Sequence, residues 1–526
     1  MKRLSLCIVL LLVVTVFWYS DSAGQVKSAG VKGNWSSAST WIGGALPKAT
    51  DQVVIADNDT VTYDMGMALN TTIAGLTIGE GASGMLQTTK TDSTKLIING
   101  SLLIKTGATL RAQTNSLTGV LGNRHLIVMS GNLTHEGALF DARNGSAGTT
   151  LGVIDFEFVG STNTTITMVT PTPVVPANIE FNAIRINKSG NANVILNSDI
   201  YCASGSSSAP NHTAFLTFVK GKVITGNYTL ITTTTTGANI SGFSDSSYVV
   251  GAMGRGMSSS VTTRDFCIGD AKAYRPMRLR GTSISSTGHY FTVRLVSGNA
   301  NTGTSKFGAG IDKISSARYY QITFNQGTQT TIPSLGFVFA HPSYRDDDGI
   351  VNGSTNLRAA LSIDNRANWT NLGPTTATVT TKMDSLPRIL LTDTLATTAA
   401  VMVNSGQSVY VALARAAGTT DNTLDPPATS VFDHDSEVPT SFSVMQNYPN
   451  PFNPTTNIRF SLEATNDVTM KVMDVLGREV ATLVDQTLAP GTYTVKWDAS
   501  SFPSGVYFYT VRAGGRFLTQ RMMLTK

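Results

Sequence analysis

The chain has 526 residues with 39 basic and 34 acidic side chains, a formal charge of +5, and so mild a bias does not mark a nucleic-acid partner. Charged residues make up only 14%, against about 25% in ordinary soluble domains, and Thr, Ser, Asn and 48 glycines take their place. That composition suits turn-rich β-structure with an uncharged polar surface, and the length suggests a few domains.

Taken in chain order, Lys2 and Arg3 precede the apolar run 4–18, and small residues follow at Ser20, Ser22, Ala23 and Gly24. This is the pattern of a secretory signal peptide over 1–24, with cleavage between Ser22 and Gln25. The run is short for a bilayer span of about 20 residues, and Cys7 lies inside it rather than at the cleavage point, which argues against a lipoprotein. Cys202 and Cys267 remain after cleavage. They are expected either as one disulfide of an oxidising compartment or as two buried thiols.

Residues 25–244 read as a parallel β-solenoid. The stretch 96–108 aligns with 126–138, placing Leu96 on Leu126, Leu103 on Leu133 and Gly107-Ala108 on Gly137-Ala138. A period in the range of about 20 to 50 residues marks stacked units, each unable to bury its apolar face alone. A long antiparallel sandwich is the alternative. Trp35 and Trp41, with Gly43-Gly44, Pro47 and Asp51, open the region. The stretch resembles the Trp-rich, Gly-Pro-Asp openings found ahead of β-helices in secreted bacterial surface proteins, and the two indoles are placed to cap the solenoid end.

From 245 to 425 the runs 291–295, 319–324, 335–339 and 409–413 alternate without a short repeat, as in an antiparallel β-sandwich. A polar, Pro-rich linker is expected over 426–440. In the last stretch, 441–526, three runs alternate with period two: Ile458, Phe460 and Leu462; Val468, Met470 and Val472; Tyr493, Val495 and Trp497. Turn residues separate the runs, so about seven short strands form an immunoglobulin-like sandwich. The prolines at 449, 451 and 454 suit a stiff, extended approach to it.

This last stretch resembles the C-terminal sorting domain of the bacterial type IX secretion system. The resemblance rests on Asn447, Tyr448, Pro449, Asn450, Pro451, Phe452, Asn453 and Pro454, on 472–478 with Gly477 and Arg478, on Trp497-Asp498, on Gly505 and Tyr507 within 504–507, and on a chain end carrying Arg521 and Lys526. It also resembles the immunoglobulin-like domain of flagellar hook-capping proteins, but that family has no need of a signal peptide. The sorting resemblance implies passage through the periplasm and hand-over to the type IX machinery at the outer membrane. Attachment to surface glycolipid or release from the cell then follows.

Chemistry is harder to find. Glycoside hydrolysis needs two carboxyls roughly 5 to 9.5 Å apart, and Asp155 and Glu157, on one face of one strand, are the only such pair suggested in the solenoid. Glu136 has no acidic counterpart at Thr106. The acidic runs 57–59 and 345–349 lack the alternate spacing of a calcium loop. Arg275, Arg278 and Arg280, in a basic stretch from Arg255 to Arg294 that includes Arg264 and Lys272, with Tyr274, His289 and Tyr290 nearby, are candidate contacts for an anionic polysaccharide. No phosphate loop, nucleophile elbow or His-Glu-x-x-His motif occurs. The expected protein is therefore all-β, exported, without a metal or cofactor, and a glycan-contacting scaffold or adhesin rather than an enzyme. A polysaccharide lyase or glycoside hydrolase is the alternative.

Overall fold

Stacked columns of apolar side chains build the first half of the molecule. The computed structural model describes residues 24–113, 124–137, 139–144, 152–169, 180–202, 215–232, 240–244, 246–256, 262–271, 273–281, 290–325, 329–332, 334–336, 338–340, 356–372, 377–378, 388–390, 401–420, 424–425, 432–435, 441–488, 490–500 and 502–526. The apolar run at the N-terminus and the acidic run 345–349 therefore lie outside the described residues. Two compact units divide the chain, Met1–Thr217 and Phe218–Lys526.

The first unit is a β-solenoid, the chain holding about six turns of it. The turns contribute their strands to three parallel ladders. One ladder runs through Gln52–Ile55, Gly75–Ile78, Leu102–Ile104, Leu133–His135 and Thr164–Met168. Another runs through Thr71–Ile73, Lys95–Ile98, Arg124–Met129, Gly152–Gly160 and Ala183–Lys188. The third joins Lys32–Asn34, Thr60–Tyr63, Met85–Thr88, Thr109–Arg111 and Leu139–Asp141. Inward positions line up from turn to turn. Ile73, Ile98, Met129, Phe158 and Ile186 form one column, all fully buried. Each such side chain contributes on the order of 1.5–3 kcal/mol by leaving water, which no single turn achieves alone.

The ladder corrects the alignment of the repeat. Leu96 pairs with Ile127, not Leu126, and Leu102 pairs with Leu133. Only beyond the Gly-Ala step, where Leu110 meets Phe140, does the spacing return to the aligned one. A slip of one residue exchanges inward and outward faces. The paired residues Leu96 and Ile127 are both buried, whereas Leu126 is not.

Trp35 and Trp41 pack edge to face, centroids 4.8 Å apart, with Tyr63 on Trp35 at 5.1 Å. The Trp41 indole N–H donates to the Trp35 carbonyl at 2.9 Å. Both indoles thus fill the interior of the first turn. Cys202 and Cys267 are free, buried thiols, so of the two alternatives the structure carries the unpaired one.

In the second unit parallel pairing persists beyond residue 244. Val249–Gly256 lies parallel to Val223–Thr232 on one edge. On its other edge Val249 and Val250 pair parallel with Ile268–Gly269, while Ala252 to Gly256 pair antiparallel with Tyr290–Ser297. The change from solenoid to antiparallel sheet therefore happens within one strand, downstream of the boundary expected from sequence. Beyond it Tyr290–Ser297, Arg318–Asn325, Ser408–Ala416, Leu357–Ser362 and Asn368–Asn371 form an antiparallel sheet. Trp369, Ile311, Ile314, Ala360 and Ala412 cluster on it.

The terminal domain is two four-stranded antiparallel sheets around one core. The first sheet is ordered Phe432–Asp435, Gly491–Asp498, Thr455–Leu462, Ser443–Val444. The second is ordered Glu479–Leu488, Asn466–Met473, Gly505–Ala513, Arg516–Leu524. Strand Phe432–Asp435 falls inside the stretch read as a linker, so this sheet begins upstream of Ser441. All nine alternating apolar residues named for this stretch are buried in the shared core.

Candidate functional site

The sequence motifs of the terminal domain are scattered over 80 residues, yet the fold gathers them at one end of the sandwich. Asn447 is the anchor of the proline-rich segment. Its backbone N–H donates to the Tyr509 hydroxyl at 2.9 Å, and its side-chain amide donates to the Pro449 carbonyl at 3.0 Å and to Thr456 Oγ1 at 2.9 Å. Tyr509 in turn donates to the Met445 carbonyl at 2.8 Å. Burial pushes the Tyr509 hydroxyl up to about 12, against the opposing hydrogen bond from Asn447, so it stays a neutral donor. The Tyr448–Pro449 and Asn450–Pro451 peptides are cis.

Two residues on, the same segment pairs with the last strand. Met523 N–H donates to Asn450 Oδ1 at 2.9 Å, Phe452 N–H donates to the Met523 carbonyl, and Thr525 N–H donates to the Phe452 carbonyl. The Phe452 ring enters the core 5.5 Å from Trp497, which meets Tyr507 edge on at 5.5 Å. Tyr507 donates to the Pro503 carbonyl at 2.8 Å, tying down the turn before its own strand. The chain end closes the group, with Lys526 N–H on Ser504 Oγ at 3.0 Å. Asn447 and Phe452 thus face inward, while Tyr448 is 80% exposed and Pro449, Pro451 and Asn453 are also exposed. Pro454 keeps its carbonyl on the Ala499 N–H.

Gly477 and Arg478 occupy the turn after Asn466–Met473, at the same end, since Met473 faces Phe508 and Phe508 faces Arg521. Gly477 has φ +75°, a left-handed conformation that costs other residues about 1 kcal/mol or more. Arg478 Nε donates to Asp474 Oδ2 at 2.7 Å. Desolvation works to raise the Asp474 carboxyl, but the Arg478 guanidinium and the backbone N–H groups of Arg478 and Leu476 outweigh it and hold it below the usual carboxylate range. The turn thereby presents Val475 and Leu476 outward, 67% and 73% exposed. Gly505 differs, because a Cβ there would meet nothing within 4 Å, and nothing in the structure explains its identity. Tyr509 was absent from the candidates read from sequence. Its spacing of two from Tyr507, on the same face of an alternating strand, is the signal that points to it.

The other candidates fall elsewhere. Arg275 is buried and its Nε donates to Asp270 Oδ2 at 2.8 Å. Arg255 and Arg264 are buried as well, donating to the carbonyls of Asp265 and Gly256. These three guanidinium groups hold together the region where the solenoid gives way to antiparallel sheet; Arg275, a candidate ligand contact from sequence, is one of them. Arg278 and Arg280 pair through their backbones with Asp265 and Thr263; their side chains, with Lys272 and His289, lie outside the described residues.

In the solenoid, Asp155 and Glu157 lie on the strand face opposite the buried Phe156 and Phe158, Asp155 itself buried and Glu157 partly exposed, and each is held by neighbouring turns. Asp155 meets Arg124 Nε and accepts from Asn182 Nδ2 at 2.7 Å. Glu157 meets Arg185 Nε at 3.2 Å and Asn187 Nδ2 at 2.7 Å. Glu136 faces Lys105 at 3.5 Å, the residue that true register places beside it. Asp57 and Asp59 are structural acceptors, taking the backbone N–H groups of Glu80 and Ser83 and of Gly30. Among the described residues no group of three His, Cys, Asp or Glu is gathered, and no helix is long and apolar enough to cross a membrane.

A solenoid and an antiparallel sheet thus precede a small sandwich whose motif residues converge on one end. The family model described as the secretion system C-terminal sorting domain matches residues 446–525, the span that holds this end. The protein is a β-helix protein sorted by the type IX secretion system, and its destination is the cell surface or the extracellular space. No curated protein and no solved structure matches the chain.

Proposed function

We propose that a signal peptide at 1–24 takes the chain across the inner membrane, and that the exported solenoid then serves as a surface scaffold or adhesin contacting glycans without catalysis. The observation that carries this reading is the pairing of the solenoid's acidic groups. Glu136, Asp141, Asp155 and Glu157 each meet a basic side chain of an adjacent turn, so they serve the stacking of the rod. Asp155 and Glu157 each take an Asn amide as well, and a carboxyl so held is poorly placed to trade protons with a substrate. Stacked turns offer an extended surface on which acidic and basic side chains are paired, which suits contact with long polymers. The test is to incubate the exported protein with a panel of anionic and neutral polysaccharides. Binding without new reducing or unsaturated chain ends is expected. Product formation would establish the competing reading, a carbohydrate-active enzyme on the solenoid.

A further inference from the structure

The last strand, Arg516–Leu524, is the outer strand of its sheet; among the described residues it pairs with Gly505–Ala513 along its length and is bridged by Phe452 at Leu524. Backbone groups of alternate residues point to the same side of a strand. Met523 and Thr525 spend theirs on Asn450 and Phe452, and the Arg521 carbonyl accepts from Gln446 and Asn450. Phe517 and Thr519 therefore aim their N–H and C=O groups off the same edge, as Arg521 does its N–H, where the proline-rich segment no longer reaches.

An open edge of this kind is a template for another strand, and proteins commonly blunt it with a proline, a bulge or a cover. Among the described residues no proline or bulge interrupts 516–521; the Phe442 ring lies 5.4 Å from the Arg516 guanidinium and Gln446 and Asn450 take the Arg521 carbonyl, and 517–520 lie between these contacts. The register with the neighbouring strand is unbroken over nine residue pairs, and Phe517 and Leu518 are 61% and 41% exposed. Arg512, Arg516 and Arg521 surround the edge. Arg516 meets Glu463, while Arg512 lies 5.9 Å from the Phe517 ring. Neither Arg512 nor Arg521 has a carboxylate partner among the described residues. This concentration of positive charge disfavours a second copy of the same edge and favours an acidic strand.

We propose that the edge at 517–521 is where the export machinery docks, by adding an extended segment of its own with acidic and apolar side chains to this sheet. The proposal rests on the sorting role of the domain. Phe452 already shows the geometry, bridging the same edge in parallel at Leu524, so the incoming strand continues a line that the chain itself begins.

The test uses the full chain in a host with type IX machinery. Thr519→Pro removes an outward N–H and no ladder bond, and proline is tolerated at such positions. Loss of one or two edge hydrogen bonds predicts a fall of about tenfold in the exported fraction, with folded, protease-resistant protein held in the periplasm. Arg521→Glu is expected to behave the same way and Arg521→Lys to be exported normally. Wild-type export of folded Thr519→Pro overturns the proposal; should that variant not fold, wild-type export of Arg521→Glu does so. A purified full chain that is dimeric, and becomes monomeric with Thr519→Pro, also overturns it, because the edge then belongs to a second copy. A control lacking 446–525 separates the two levels. If that chain is exported normally, the sorting role fails, and not merely its site.

Discussion

His125 carries the clearest electrostatic consequence of the solenoid's packing. It is 2% exposed, its Nδ1 lies 2.8 Å from Thr94 Oγ1, and burial depresses the ring to about 4. In the unfolded chain the same ring titrates near 6.5. Between those values the unfolded chain binds a proton that the folded one refuses, so stability falls as pH drops from about 6.5 to about 4 and then levels. The difference corresponds to roughly 3 kcal/mol, as an order of magnitude. Urea unfolding of the wild type and His125→Asn at pH 7.5 and 4.5 checks this. The wild type is expected to lose its advantage over the variant at the lower pH; an advantage that does not change with pH contradicts the assignment. Nothing local in Arg124-His125-Leu126 announces the effect, because only the stacking of turns shows that His125 points inward.

At the scale of elements, alternation was legible wherever one face of a strand is wet. Ile458, Phe460 and Leu462 and their counterparts lie in the core as their spacing requires. Two features were not legible. Leu126 and Ile127 are both apolar, so the pattern does not say which one faces inward, and the alignment slipped by one residue. Val249–Gly256 is buried along most of its length, and a strand buried on both faces carries no signal of whether its neighbours run parallel or antiparallel. The burial of the arginines at 255, 264 and 275 was not legible for a related reason, since charge suggests surface while their partners include backbone carbonyls and Asp270, which only the fold assembles. Tyr509 is one of the groups that tie the start of the proline-rich segment to the sandwich. Tyr509→Phe removes one hydroxyl that serves both Met445 and Asn447, leaving the buried Asn447 N–H unmet at a cost of about 1–3 kcal/mol. Limited proteolysis is expected to cut the 445–454 segment faster in this variant while the strands stay protected. Equal rates contradict the anchoring role.

For the whole molecule, the division of labour follows from where polar groups are committed. Acidic groups on the solenoid face are tied between turns, whereas the terminal sandwich leaves Tyr448, Val475, Leu476 and Phe517 exposed on a rigid frame. The sandwich also includes Phe432–Asp435, so a removal that respects the fold starts there and not at Ser441. The most direct measurement is the cellular location of the full chain and of a chain ending before Phe432, followed in one host with type IX machinery. The account predicts the full chain outside the cell and the shortened, folded solenoid retained in the periplasm. Equal amounts of both outside the cell would contradict it.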